Sequence, residues 1–436
     1  MRGILAWGVH LPYRRLDRTT IAAVAGTGGG KGTRTVASYD EDATTMAVEA
    51  GRQALRAAAD VEPRSLWFAT TAPPYLDKTN ATAVHAALRL DRAAPAYDAL
   101  GAVRSGVGAL RAALAGDRPS VVAVGDLRTG LPGGPDEATG GDAGAAFVVG
   151  EGDDDTLAAE VVDWASTTEE FVDRWRAPGA PASKLWEERF GETRYVDLGL
   201  EAWEGLGVHD VDHLVVVSPH GRAAAAVVKK LGLPPERVAD TLADAVGNAG
   251  AAAPGVALAA TLDRAAPGDR IALVVLADGA DAVLLRATPG LERRRPSRPV
   301  AEQVAAGAPV SYGTFLAWRG FLPVEPPRRP EPQRPSSAAA ARNVDWKFGF
   351  VGSDGRPMAD AVGTIATFTI DRLAYSPSPP IVFAVVDFDG GGRAPIELTD
   401  VDAADVRIGM RVEMTFRKLF TADGIHNYFW KGRPLR

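Results

Sequence analysis

A chain of 436 residues is long enough for two or more domains, and its 46% hydrophobic and 24% charged content is that of a globular protein. A formal net charge of −7 argues against a general nucleic-acid or membrane-surface role, and no apolar run reaches the ~18 residues of a bilayer span. There is no cysteine, which excludes disulfides, thiolate metal sites and a cysteine nucleophile.

The opening "MRGILAWGVHLPYRR" reads as a first strand and lacks a signal-peptide pattern, so the expected location is the cytoplasm. Strand-like and helix-like segments then alternate to about residue 290, the pattern of an α/β fold. "SLWFATTA", "PSVVAVGD" and "AGAAFVVGEG" predict strands; "DATTMAVEAGRQALRAAA" and "NATAVHAALRL" carry apolar residues at helical spacing. "GTGGGKGT", residues 26–33, looks like a phosphate loop, but Gly32 separates its lysine from the threonine, and a plain loop is the better reading. "AYDALGAVRSGVGAL", residues 96–110, predicts a strand, a turn and a small-residue helix. At such an elbow helix N–H groups can stabilise a thiolate or an oxyanion, yet the residue there is Val103, which can do neither chemistry. "GEGDDDTL" reads as a solvated hairpin turn.

The second half repeats the first in outline. "HLVVVSPHGR" answers "LWFATTAPPY", "TLADAVGNAGAAAPGVAL" answers the elbow, and "DRIALVVLADG" with "DAVLLRATPG" answers the last two strands. "HDVDH", with His209 and His213, has a metal-like spacing but leads into a strand without further ligands. Residues 291–343 are Pro/Arg/Ala-rich and predict an extended linker around one short docking segment, "SYGTFLAWRGFLP". From residue 344 onward "VGTIATFTIDRL", "PIVFAVVDFDG", "RAPIELTDV" and "GMRVEMTFRKLF" predict a small barrel of the OB type. "RKLFTADGIHNYFWKGRP" is basic and aromatic, which opens a single-stranded nucleic-acid reading. The acidic balance favours barrel closure or an aromatic strip facing a protein partner.

The blocks "GVHLPYRRL", "SYDEDATTMAVEAGRQAL", "DRWR", "RFG", "VVKKLGL" and "GNAGAAAPGVALAATLDRAAPGDRIALV" resemble hydroxymethylglutaryl-CoA synthase, of the thiolase superfamily. "VGTIATFT", "VVDFDGGGR" and "DVRIGMRVEMTFRKL" resemble the zinc-ribbon/OB proteins that accompany thiolases. The implied fold class is an α/β thiolase-like fold, a duplicated five-layer αβαβα domain, followed by an all-β OB-fold barrel. The implied units are residues 1–165 and 166–290 as the two halves, 291–343 as the linker and 344–436 as the OB domain.

The resemblance also implies a cysteine that takes the acetyl group, a glutamate acid/base and an orienting histidine. The matching positions hold Val103, five residues after Asp98; Thr71, ahead of Pro74 and Tyr75; and Val217, ahead of Pro219, His220 and Gly221. All three seats are degenerate. Asn248 matches a polar position of the family site, and His220 stands near the lost histidine as a candidate remnant. Ser105 lies two helical positions past Val103, roughly 200° around the axis, and Arg104 about 100°. Lys229 and Lys230 match a double lysine and are candidate contacts to CoA phosphates, the alternative being a solvated helix end. Only "DGRPMAD" separates Ser353 from Ala361 where the OB relatives carry their paired cysteines, so no metal and no cofactor are expected, while CoA thioester binding stays open. The expected function is a non-catalytic scaffold subunit of a multi-component acyl-CoA thiolase or acyltransferase complex. The expected partners are a second copy of the chain and a separate catalytic thiolase-type subunit, with no nucleic acid and no membrane. The barrel is expected to reach outward on its linker to dock that subunit. The alternative is a CoA-dependent acyltransferase or condensing enzyme of natural-product metabolism that uses residues outside the family set.

Overall fold

The computed structural model describes residues 1–207, 210–338, 344–351 and 355–436. The first half runs β1 (Arg2–His10), β2 (Arg14–Asp17), α1 (Thr19–Ala25), β3 (Thr33–Val36), α2 (Ala43–Ala57), β4 (Ser65–Thr70), α3 (Ala81–Ala87), β5 (Ala96–Leu100), α4 (Arg104–Ala115), β6 (Ser120–Leu127), α5 (Pro135–Thr139) and β7 (Asp142–Glu151). The second half follows with β8 (Ala159–Thr167), β9 (Arg174–Trp175), β10 (Lys184–Leu185), α6 (Glu188–Gly205), β11 (His213–Val217), α7 (Gly221–Leu231), α8 (Ala253–Leu262), β12 (Arg270–Leu276) and β13 (Ala280–Ala287).

The long strands join in the order β11-β12-β13-β8-β1-β7-β6-β4-β5. The join between the halves is slight, two pairs between β1 and β8, Gly3 with Glu160 and Ile4 with Ala159. Strand alternation sorts the side chains into layers. Val122, Val124, Phe147 and Val149 share a central core with Val215, Val217, Leu273 and Val275, and α4 and α8 lie in it. Their neighbours Val121, Ala123, Ala146 and Val148 face α2 and α3 on one outer side. Leu214, Val216, Ala272 and Val274 face α6 and α7 on the other. The result is the αβαβα arrangement.

Helix α2 lies unusually deep. Asp42 and Thr45 close a capping box at its start. Where it crosses the sheet stand Gly8, Gly125 and Gly144; a Cβ on them would come within 2.4, 2.0 and 2.3 Å of the carbonyl oxygens of Ala50, Ala43 and Met46. Only glycine lets the helix backbone rest on the strands. Its other side is covered as well, so even Glu49 and Arg52 are buried.

The region after β13 is less extended than its composition predicts. It forms α9 (Leu291–Arg294), α10 (Val300–Ala305), β14 (Ala308–Pro309) and α11 (Tyr312–Trp318). β14 pairs in parallel with β2, and α11 packs Tyr312 and Phe315 against Leu16, Ile21 and Val36. The guanidinium groups of Arg34 and Arg319 each lie 5.1 Å from the Phe315 ring. The docking segment therefore docks on its own chain. Residues 323–336 carry neither helix nor strand.

The C-terminal barrel is built from β15 (Val362–Asp371), β16 (Ile381–Phe388), β17 (Arg393–Glu397), β18 (Arg411–Ala422) and β19 (Ile425–Pro434) in the order β17-β16-β15-β18-β19. A parallel bridge between Leu398 and Gly432 closes it. Phe416, Tyr428 and Trp430 are buried, with Phe416 and Tyr428 stacked at 5.4 Å, so these rings close the barrel and offer no platform for bases. The barrel does not reach outward; this corrects the expectation from the linker. β18 and β19 lie across α2, joined to it by ion pairs. Lys431 Nζ is 2.9 Å from Asp40 and 2.6 Å from Glu397. Arg417 lies 3.3 Å from Glu41 and 2.7 Å from Asp400. Glu49 pairs with Arg52 at 2.6 Å and Arg433 at 3.4 Å, and accepts the Phe416 N–H at 3.0 Å. The physical reason is charge matching: acids just before and on α2 meet bases on the barrel, and burial makes each need the other.

Candidate functional site

Two of the three seats open onto one cavity. Thr71 follows β4, Val103 sits at the start of α4, and both line a space of about 630 Å³. Thr71 is sealed from below. Its Oγ1 donates to Asp126, 2.8 Å from Oδ1 and 2.9 Å from Oδ2, and its N–H lies 3.2 Å from Oδ1. Asp126, next to the last residue of β6, is fully buried and also accepts the Ala251 N–H at 2.8 Å. Burial pushes its carboxyl above the usual range, against the opposing pull of Arg128 and these donors.

Val103 is 6% exposed and gives the cavity a hydrocarbon floor. The neighbouring polar groups do not replace it. Ser105 Oγ donates to the Leu100 carbonyl and accepts the Ala102 N–H, each at 3.3 Å. Arg104 stitches the two halves together through Asp281 at 2.7 Å, the Asp278 carbonyl at 2.9 Å and Thr168 at 3.1 Å.

Val217 and Asn248 line a second cavity of about 440 Å³ along one face of α7, and Pro219 borders both spaces. Asn248 spends its amide on the backbone, donating to Ser218 O at 2.7 Å and accepting from Gly250 N at 2.9 Å. His220 is the N-cap of α7. Its Nδ1 accepts the Ala223 N–H at 3.2 Å and its Nε2 lies 2.9 Å from the Glu188 carbonyl, so both ring nitrogens are taken and neither faces a cavity. Lys229 and Lys230 are exposed in the last turn of α7 and line neither cavity. His213 pairs with Asp269 at 2.9 Å; His209 lies outside the described residues. Among the described residues no three His, Cys, Asp or Glu side chains converge as a metal site.

Arginine is what the sequence reading missed. Arg128, Arg174 and Arg176 all line the first cavity, beside Tyr195 and Asp278. Arg174 and Arg176 come from the two-stranded hairpin of β9 and β10, whose "DRWR" carried the family likeness without an assigned role. Arg174 grips Asp136 at 2.6 and 2.5 Å, and Arg176 donates to the Thr71 carbonyl. Trp175 and Trp186 flank the hairpin, 40% and 68% exposed, with ring centroids 6.2 Å apart.

Comparison with known proteins fits this architecture. The chain is 31% identical over 345 residues to hydroxymethylglutaryl-CoA synthase of Methanopyrus kandleri, covering 73% of this chain and 97% of that one. To the synthase of Thermococcus sibiricus it is 33% identical over 336 residues, covering 73% and 96%. The chain belongs to the hydroxymethylglutaryl-CoA synthase family. Within this family member, residues 202–286 match the 3-oxoacyl-[acyl-carrier-protein] synthase III C-terminal model. Residues 356–417 match the ChsH2 C-terminal OB-fold domain. Among solved structures, an HMG-CoA synthase complexed with CoA superposes with a TM-score of 0.62 at 19% identity, covering 72% of this chain and 89% of that one. The 3-oxoacyl-[acyl-carrier-protein] synthase III of Aquifex aeolicus gives 0.56 at 20%, covering 66% and 100%. These two likenesses show the shared thiolase-type fold.

Proposed function

We propose that this member of the family is a non-catalytic scaffold subunit, a homodimer that complements a separate, cysteine-bearing thiolase-type enzyme in an acyl-CoA complex. The observation that carries the reading is the side chain at the elbow. Val103 faces the cavity at the position where the family likeness implies the acyl-carrying thiol, and neither Ser105 nor His220 turns into its place. Loss of a nucleophile alone costs on the order of a million-fold in kcat. Thr71 and Val217 supply neither acid nor base, so the parent condensation is lost with it. What stays intact is the fold: the central core is continuous and the cavity is open.

Support for pairing comes from β5, the edge strand of the large sheet, on which Tyr97 is 48% exposed. An unpaired edge of this kind invites a second strand. Size-exclusion chromatography with light scattering tests the assembly. The chain, 45.7 kDa as a monomer, is expected at twice that mass alone and in a larger species with its cognate thiolase. A monomer that ignores the thiolase contradicts the scaffold.

A further inference from the structure

The first cavity carries more positive charge than its carboxylates answer. Arg128, just past β6, is 9% exposed and lines the cavity. Among the described residues its guanidinium has no hydrogen-bond acceptor. Its ion-pair partner Asp136 stands 3.8 Å away and is already gripped by Arg174 at 2.5 Å. A guanidinium offers five N–H donors, and those of Arg128, with only the nearby charges of Asp126 and Asp136 and no acceptor in bonding range, are free for a ligand's oxygens. Arg176 lines the same space and spends only one hydrogen bond, on the Thr71 carbonyl. One carboxylate, Asp278, stands in the same lining, and burial together with Asp173 raises its pKa against the pull of Arg104 and Arg174. Val103, Leu100, Pro73, Leu76 and Trp175 add an apolar portion to the wall.

An anchor of this kind beside hydrocarbon walls suits an amphipathic acid. We propose that the cavity binds a small organic carboxylate without covalent chemistry, its carboxylate on Arg128 and Arg176 and its apolar body over Val103 and Trp175. The proposal rests on the reading of a site without acyl-transfer chemistry. A planar carboxylate matches the guanidinium fork edge to edge, and the cavity volume of about 630 Å³ accommodates a ligand of metabolite size. The valine that ends the parent chemistry thereby becomes part of the ligand's apolar bed.

Isothermal titration calorimetry on the full chain tests this with hexanoate, 3-phenylpropanoate and glutarate, and with inorganic phosphate as the competing anion. Saturable one-to-one binding of hexanoate or 3-phenylpropanoate is expected, weakened about tenfold or more by Arg128→Gln. Trp175→Ala, on the exposed hairpin, should weaken the same ligands while keeping the melting temperature, which holds the test open if Arg128→Gln fails to fold. Absence of saturable binding by all three acids overturns the proposal, as does binding that neither variant alters. Tighter binding of phosphate than of any carboxylate overturns the ligand class. A covalent acetyl adduct in a separate mass measurement overturns the scaffold reading instead, so the two failures are distinguishable.

Discussion

Val103 presents two methyl groups where the family likeness implies a thiol, while Thr71 has its hydroxyl 2.8 Å from Asp126. Val103→Cys is expected to give no measurable hydroxymethylglutaryl-CoA synthesis, because Thr71 and Val217 leave the new thiol without a base or an orienting partner. A coupled assay for free CoA release checks this; turnover in the single variant would mean that another group supplies the proton transfers. That Val103 stands at the turn into a helix was legible in the sequence, since the small-residue pattern after Asp98 marks the strand, turn and helix. The place of Thr71 was legible from its distance to Pro74 and Tyr75. The bond to Asp126 was not, because Asp126 comes from a different strand 55 residues away. Arg128 was hidden more deeply still. A single arginine after a strand reads as solvated surface, and only the fold turns it into a cavity wall without an acceptor.

At the scale of elements, the alternating strands and small-residue helices could be read because burial imposes period 2 on one and 3.6 on the other. β8 was not read as a strand: it is half exposed and shows no clean alternation. The contact between α2 and the barrel was illegible for a related reason: Asp40 just before the helix and Glu49 and Arg52 on it look solvated, yet they are buried by charges that arrive over 300 residues later. Breaking this network is expected to be expensive. Lys431→Met leaves Glu397 without its cation and Asp40 with Arg417 alone, and should cost about 3–5 kcal/mol in chemical denaturation; a loss near zero would mean that water screens the pair. Acid should act through the same contact. Burial alone would raise the Asp40 carboxyl, but Lys431 and Arg417 outweigh it and hold it at about 2. The folded value lies below the unfolded one, so the contribution is complete above pH ~4 and is lost as pH falls toward 2. Denaturation midpoints measured from pH 6 downward should fall steeply in that window and less steeply in Lys431→Met. Equal slopes would place the acid sensitivity elsewhere.

For the whole molecule, fusion of the barrel to the thiolase-type fold is an integral contact. It buries acids and bases of both parts, and Tyr75, beside the Thr71 loop, accepts the His426 N–H at 2.8 Å. A truncation after residue 343 would strip the cover from α2, so partner binding is better probed with the full chain and surface variants. On the proposed reading this chain keeps the architecture of a condensing enzyme while its elbow carries no acyl group. Intact-mass spectrometry of the full chain after incubation with acetyl-CoA tests it most directly. The account predicts an unchanged mass at every time point, since the cavity holds a valine where an acyl thioester would form. A stoichiometric acetyl shift, mapped by peptide fragmentation to a residue of the Thr71 and Val103 cavity, would contradict it.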